Sequence, residues 1–341
     1  MTGRILYVSC AEEHEIFILL LDPASGALSK VGVATAAGEE GMGTSMAMAL
    51  SPNRRVLYAA VRTSPMPVSC FAIDAATGGL KLLAAPALPD QMAYIVTDHT
   101  GRHLLAASYH GSQIASSPIG GDGVVRTPAT QVMETPPKAH SILPDPANHF
   151  LFAASLGGNV ILRLRFDAAT GLFDPLPPVR VQDGAGPRHL RFSPDGRFLY
   201  LINELDGSIV AYAYDPSAGA LAEIQTITAL PPGTTLTGSA AAADIHLTPD
   251  GRFLYGSVRS TNTLAAYRVD STTGRLTAIG SVASEPSPRG FAIDPSGRFL
   301  LCAGQTSNRV GVYRIDTGTG ELTSIGGLNV GGNPNWIEFL I

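Results

Sequence analysis

Residues 184–204 read GAGPRHLRFSPDGRFLYLINE, and this stretch decides the fold. His189-Leu190-Arg191-Phe192 alternates polar and apolar, whereas Phe198-Leu199-Tyr200-Leu201-Ile202 is a continuous apolar run. The first pattern fits a strand with one wet face, the second a strand covered on both faces. Ser193-Pro194-Asp195-Gly196 between them is a turn, because Pro presets φ and Gly accepts φ > 0. The hairpin brings its outer ends together, so Arg188 and His189 are expected beside Asn203 and Glu204.

The unit recurs. Counterparts of Ser193 stand at 51 (SPNRRVLYAAVR), 98 (DHTGRHLLAASY), 145 (DPANHFLFAASL), 248 (TPDGRFLYGSVR) and 294 (DPSGRFLLCAGQ). The steps are 47, 47, 48, 55 and 46 residues. Strand-rich repeats of that length indicate a β-propeller, one blade per repeat. The termini supply a further blade. Gly3-Arg4-Ile5-Leu6-Tyr7-Val8 matches a second strand, and Asn333-Pro334-Asn335-Trp336-Ile337-Glu338-Phe339 matches a first strand. The expectation is an all-β, seven-bladed propeller with four-stranded blades, one domain over 1–341, closed by the C-terminal strand. In the best copy the strands are expected at 188–193, 198–204, 208–215 and 220–227. Recurrent Asp-x-x-x-Gly segments (Asp74–Gly78, Asp167–Gly171, Asp215–Gly219, Asp270–Gly274, Asp316–Gly320) read as structural turns into the outer strand. The step of 55 implies a longer loop over one face, between 228 and 243.

Composition narrows the function. The net charge is −5, only 15% of residues are charged, and no basic run is present. Nucleic acid and anionic membrane are therefore not expected partners. The start MTGRILYVSC reads as a strand rather than a signal peptide, and no apolar run reaches membrane-span length. Cys10, Cys70 and Cys302 are odd in number and scattered, as buried thiols in a reducing cytoplasm would be. His14-Glu15 lacks the metalloprotease spacing, no Cys-x-x-Cys or Gly-x-Ser-x-Gly occurs, and Gly41-Met42-Gly43 lacks the βαβ setting of a dinucleotide site.

What remains is a set of rings. Five places before each turn stand Met46, Ala93, His140, Arg188, Ala243, Arg289 and, from the closing strand, Trp336. Eleven places after each turn start stand Arg62, Tyr109, Leu156, Glu204, Arg259 and Gln305. Both positions lie at one end of the hairpin, so these side chains are expected to share a funnel. His189, His110, Asp244 and His246 fall near the rings but out of phase. Any one of these residues taken alone fits a surface or structural role equally well. For His246, within an alternating run, a core hydrogen-bonding role competes. Arginines at matched offsets in four blades of a charge-poor chain point instead to recognition of a carboxylate or phosphate.

GAGPRHLRFSPDGRFLYLINEL, AADIHLTPDGRFLY, PRGFAIDPSGRFLLCAGQTSNRVGVYRID and the closing GGNPNWIEF resemble the seven-bladed propeller lactonases. That family includes bacterial 6-phosphogluconolactonases, the nearest in pattern, and the fungal 3-carboxy-cis,cis-muconate lactonizing enzyme. The resemblance implies a catalytic set at His140 (KAHSILPDP), Arg188 (GPRH), Glu204 (NEL) and Arg259 (GSVRS). Around them, Arg62, Tyr109, His189, His246, Arg289 and Gln305 are expected to bind substrate. The implied activity is hydrolysis of a sugar lactone, foremost 6-phosphogluconolactone in the pentose phosphate pathway. Another lactonase, a carboxymuconate cycloisomerase or a binding-only propeller are the alternatives. The implied partner is a small anionic lactone, without nucleic acid or membrane, on a monomer or weak homo-oligomer in the cytoplasm. No cofactor or metal is expected, because the interleaved arginines disfavour a divalent cation. Glu204 or His140 is the candidate base, and a direct or water-bridged contact between Arg188 and Glu204 is expected.

Overall fold

The computed structural model describes residues 3–39 and 44–340; Met1, Thr2, the Gly41-Met42-Gly43 segment and Ile341 lie outside the described residues. Seven four-stranded antiparallel sheets form the ring. Each first strand contacts the first strands of the neighbouring blades, so these strands surround the axis. Arg4–Cys10 pairs on one side with Glu15–Leu21 and on the other with the closing strand Pro334–Phe339, Leu6 facing Phe339. In the fifth blade the strands are Pro187–Phe192, Phe198–Asn203, Ser208–Asp215 and Ala220–Thr228.

The second strands are continuous apolar runs because each is sandwiched between blades. One cluster, for example, joins Leu199, Leu201 and Val210 of the fifth blade to Phe152, Ala154 and Ile161 of the fourth. Burial of this kind contributes roughly 25 cal/mol per Å2 of apolar surface. A repeated lock adds direction to the packing. Tyr7, Tyr58, Tyr200 and Tyr255 donate their hydroxyls to the carbonyls of Gly78, Gly123, Gly274 and Gly320 in the next blade, at 2.9–3.0 Å. The Asp-x-x-x-Gly turns are closed by their own aspartates. Asp270 Oδ1 accepts the amides of Thr272 and Thr273, at 2.8 and 3.0 Å.

One irregularity positions the site. The first strands of the fourth and fifth blades carry a β-bulge near the entry, where pairing skips from Ala139–Ser155 to Ser141–Ala154 and from Pro187–Asn203 to His189–Ile202. A bulge re-aims the side chain of the extra residue. Here the extra residues are Arg188 and His140.

Candidate active site

Gly186 sets the height of the site. It sits at φ 74, and a Cβ there would meet the Leu205 side chain at 2.6 Å. Its carbonyl accepts the Glu204 amide at 2.7 Å, fixing the chain where the second strand ends. Arg188 Nε then donates to Glu204 Oε2 at 2.7 Å. Arg259, after the second strand of the sixth blade, donates Nε to the Ala241 carbonyl at 2.8 Å and holds Nη2 3.1 Å from Glu204 Oε1. That second contact is an ion pair without hydrogen-bond alignment, because the same Nη2 is a buried donor left without a hydrogen bond. His140 Nε2 lies 3.9 Å from Glu204 Oε2. His140, Arg188, Glu204 and Arg259 therefore converge from three blades.

The electrostatics are lopsided. Burial works against the Glu204 carboxylate, but Arg188, Arg259 and Arg289 outweigh it and hold its pKa below the usual range. Burial, reinforced by Arg188, His189 and Arg289, pushes the His140 imidazolium well below its usual pKa, so the ring is neutral. Its contact with Glu204 is accordingly not a salt bridge. Among the described residues the Arg289 guanidinium has no hydrogen-bond partner. Burial, Arg188 and Arg259 disfavour its charged form. A guanidinium does not deprotonate in proteins, so this repulsion is relieved by an anion. Arg62 donates Nη1 to Ser45 Oγ at 3.1 Å and leaves a buried Nε without a partner. Tyr109 lies edge-on to His140, with ring centroids 5.7 Å apart, and to His110 at 5.3 Å.

Three placements differ from the sequence reading. Trp336 does not share the Arg188 ring; pairing of Ser9 with Trp336 and of Cys10 with Pro334 puts Asn335 there and Trp336 level with His189. The closing strand is bulged as the fifth blade's first strand is, so matching Pro334 with Pro187 gives the observed placement and the ring count runs one residue too far along. His246 sits deeper, against Asp244, Arg191 and Phe291, and reaches the cluster only through Asp244. The Gln305 side chain makes no described hydrogen bond with the cluster, although its backbone amide bonds Ser287 as Arg259 does Ala241. The longer loop runs between Thr228 and Ala242 and lies on the mouth; Ser239 Oγ bonds the Glu204 carbonyl at 3.2 Å. Sequence reasoning missed the backbone acceptors: the Ala241 carbonyl for Arg259, and the Ala243 carbonyl, which accepts from Arg188 Nη1. Main-chain carbonyls carry no residue signature.

A larger cavity, about 350 Å3, opens at the other end of the channel among Arg54, Arg191, His246, Trp336 and Glu338. Its polar groups largely satisfy one another: Arg191 donates to the Tyr94 hydroxyl at 2.7 Å and Trp336 to Glu338 at 2.9 Å. Four arginines, Arg62, Arg188, Arg259 and Arg289, gather at the Glu204 end, and this end is the candidate site despite the smaller space. Among the described residues no three His, Cys, Asp or Glu side chains converge as a metal site. Among the described residues no helix is long and apolar enough to cross a membrane.

A propeller whose channel mouth joins a neutral histidine, an arginine-held carboxylate and the unpaired Arg289 guanidinium is built to handle an anion. The model for the lactonase family of seven-bladed β-propellers matches residues 5–339. The 6-phosphogluconolactonase of Pectobacterium carotovorum is 37% identical over 293 residues, 85% of each chain. That of Serratia proteamaculans is 36% identical over 294 residues, again 85% of each chain. The crystal structure of the periplasmic gluconolactonase of Pseudomonas aeruginosa superposes with a TM-score of 0.85 at 28% identity, covering 99% of each chain. The chain belongs to the seven-bladed β-propeller lactonase family.

Proposed function

We propose that this lactonase hydrolyses a phosphorylated sugar lactone, 6-phospho-D-glucono-1,5-lactone, to 6-phosphogluconate. The observation that carries the reading is the Arg289 guanidinium, unpartnered and surrounded by Arg188, Arg259 and Arg62 with Glu204 as the one carboxylate among them. Such a cluster binds an anionic substituent by charge-assisted hydrogen bonds. The names of the Pectobacterium and Serratia relatives support the phosphorylated sugar.

In this reading His140 is the base. Its Nδ1 is buried without a hydrogen-bond partner, and Nε2 lies 3.9 Å from Glu204 Oε2. The role of base requires the ring proton on Nδ1, so that Nε2 is bare and faces the site. Glu204 is held by two arginines and is the weaker base. A water oxygen attacks the lactone carbonyl carbon while its proton passes to His140 Nε2. The carbonyl oxygen becomes an oxyanion, and fixed arginine donors stabilise it more than the ground-state carbonyl. Collapse breaks the bond between that carbon and the ring oxygen, which takes the proton from His140. Glu204 keeps Arg188 and Arg259 in place and offsets the imidazolium that forms beside it.

The chain is read as one domain, acting in the pentose phosphate pathway of the cytoplasm. The unpaired, buried Cys10, Cys70 and Cys302 support that compartment. An assay of lactone disappearance with the phosphorylated lactone, D-glucono-1,5-lactone and carboxymuconate separates the readings. The phosphorylated lactone is expected to give the highest kcat/KM; a preference for the unphosphorylated lactone would move this chain to the activity named for the Pseudomonas protein.

A further inference from the structure

Beneath the mouth, Asp244 holds two imidazoles with one carboxylate. His189 Nδ1 lies 2.8 Å from Oδ1, and His246 Nε2 lies 3.1 Å from Oδ2. The amides of Ile245 and Phe291 add contacts at 2.9 and 3.3 Å. The other face of His189 meets Arg188, whose Nη1 lies 3.0 Å from His189 Nε2. These partners dictate the tautomer. A carboxylate only accepts, so Nδ1 carries the proton; a guanidinium only donates, so Nε2 is bare. Burial and Arg188 push the His189 imidazolium down to about 3, so the ring is neutral at working pH. The ring is also fixed in plane, edge-on to Tyr94 and His140, with centroids 5.3 Å away in each case.

We propose that Asp244 is a positioning residue for the hydrolysis: it fixes His189 as the Nδ1–H tautomer, whose Nε2 lone pair steers Arg188 onto Glu204. The proposal rests on the reading that the Arg188–Glu204 mouth is where hydrolysis occurs. It also gives His189 a role other than contact with substrate. Arg188 is 2% exposed and its Nη1 is shared between His189 and the Ala243 carbonyl. If the tautomer flips, an N–H faces an N–H and Arg188 is driven from its seat. Asp244→Leu removes the acceptor that holds this tautomer, whereas an asparagine can keep its oxygen on His189 and turn its amide to His246. Second-layer partners of this kind typically change activity about 10–100-fold.

Ring-15N-labelled histidine spectra at neutral pH read the tautomer without turnover. The expected result is His189 protonated at Nδ1 and bare at Nε2; a proton on Nε2 overturns the proposal. In kinetics, Asp244→Leu is expected to lower kcat by about 10–100-fold with KM little changed. The acid limb of kcat/KM should also move to higher pH. The groups facing Glu204 and His140 are Arg188, Arg259, Arg289, His189 and Tyr109. Displacing Arg188 removes the first cation acting on both titrating groups, so both shift upward. His189→Gln, which can still offer Arg188 an acceptor, should retain more rate than His189→Phe. A folded Asp244→Leu enzyme with native kcat and an unmoved acid limb contradicts the proposal. Should Glu204→Gln keep full activity, the site reading fails instead, and the tautomer measurement still decides the role of Asp244.

Discussion

Arg188 and Glu204, 16 residues apart, meet at 2.7 Å across the bulged hairpin of the fifth blade. The contact expected from the hairpin is direct. It ties the one carboxylate among the clustered arginines to the least exposed of them, 2% exposed. Burial has lowered this guanidinium's pKa to about 10, so it depends on its carboxylate partner. Glu204→Gln therefore has a signed outcome. Removing the negative charge that touches Arg188 and Arg259 lowers KM for an anionic substrate, while kcat falls because the imidazolium formed on His140 loses its counter-charge. The same variant melts at a lower temperature, since a buried charge is left uncompensated. Added phosphate recovers part of that loss by binding the arginines. A rise in KM would contradict this assignment.

Arg289 has no protein partner among the described residues, so its truncation removes substrate contacts rather than packing. Arg289→Ala is expected to raise KM by about ten- to a hundredfold with little change in kcat, as for one to two charge-assisted hydrogen bonds. The effect should shrink for a lactone lacking the phosphate. Steady-state kinetics on both lactones measures the difference.

The pH profile carries a second sign. The pKa of His140 lies well below 6.5 in the free protein, through burial and then Arg188, His189 and Arg289. Its base form is present above that pKa and lost as pH falls through it. A bound anion cancels part of the arginine repulsion and raises the pKa. The acid limb of kcat, which reports the complex, is thus expected at higher pH than that of kcat/KM, which reports the free enzyme. Coincident limbs would count against His140 as the titrating base.

The tyrosine locks predict stability. Tyr200→Phe leaves the Gly274 carbonyl without its inter-blade donor and is expected to cost about 1–2 kcal/mol. The measurement is the shift in the unfolding midpoint, with kcat unchanged. Tyr255→Phe, which frees the Gly320 carbonyl, should behave alike.

The fold was legible because each level of the sequence agreed with the next. Turn chemistry at Pro194 and Gly196, the apolar run from Phe198 to Ile202 and the repeat step all specify blades. The split pattern at the termini foretold that the C-terminal strand would pair with the N-terminal one, and Leu6 does face Phe339. The site was legible only as far as side chains at matched offsets could carry it: His140, Arg188, Glu204 and Arg259. The bulges were not, because a bulge changes which face a residue occupies without changing the count of residues. Trp336 was placed one layer away for a plainer reason: the match of Pro334 with Pro187 puts Asn335, not Trp336, at the Arg188 position. Asp244 stood near the rings, but its bridging of His189 and His246 depends on the height of neighbouring strands, which no local pattern encodes.

The central claim is that His140 is the base for lactone opening at this mouth, and the rate of 6-phospho-D-glucono-1,5-lactone hydrolysis by folded His140→Ala tests it. The account predicts a kcat lower by about 10²–10⁴-fold with KM little changed. A folded variant with near-native kcat would contradict it and place the chemistry elsewhere in the channel.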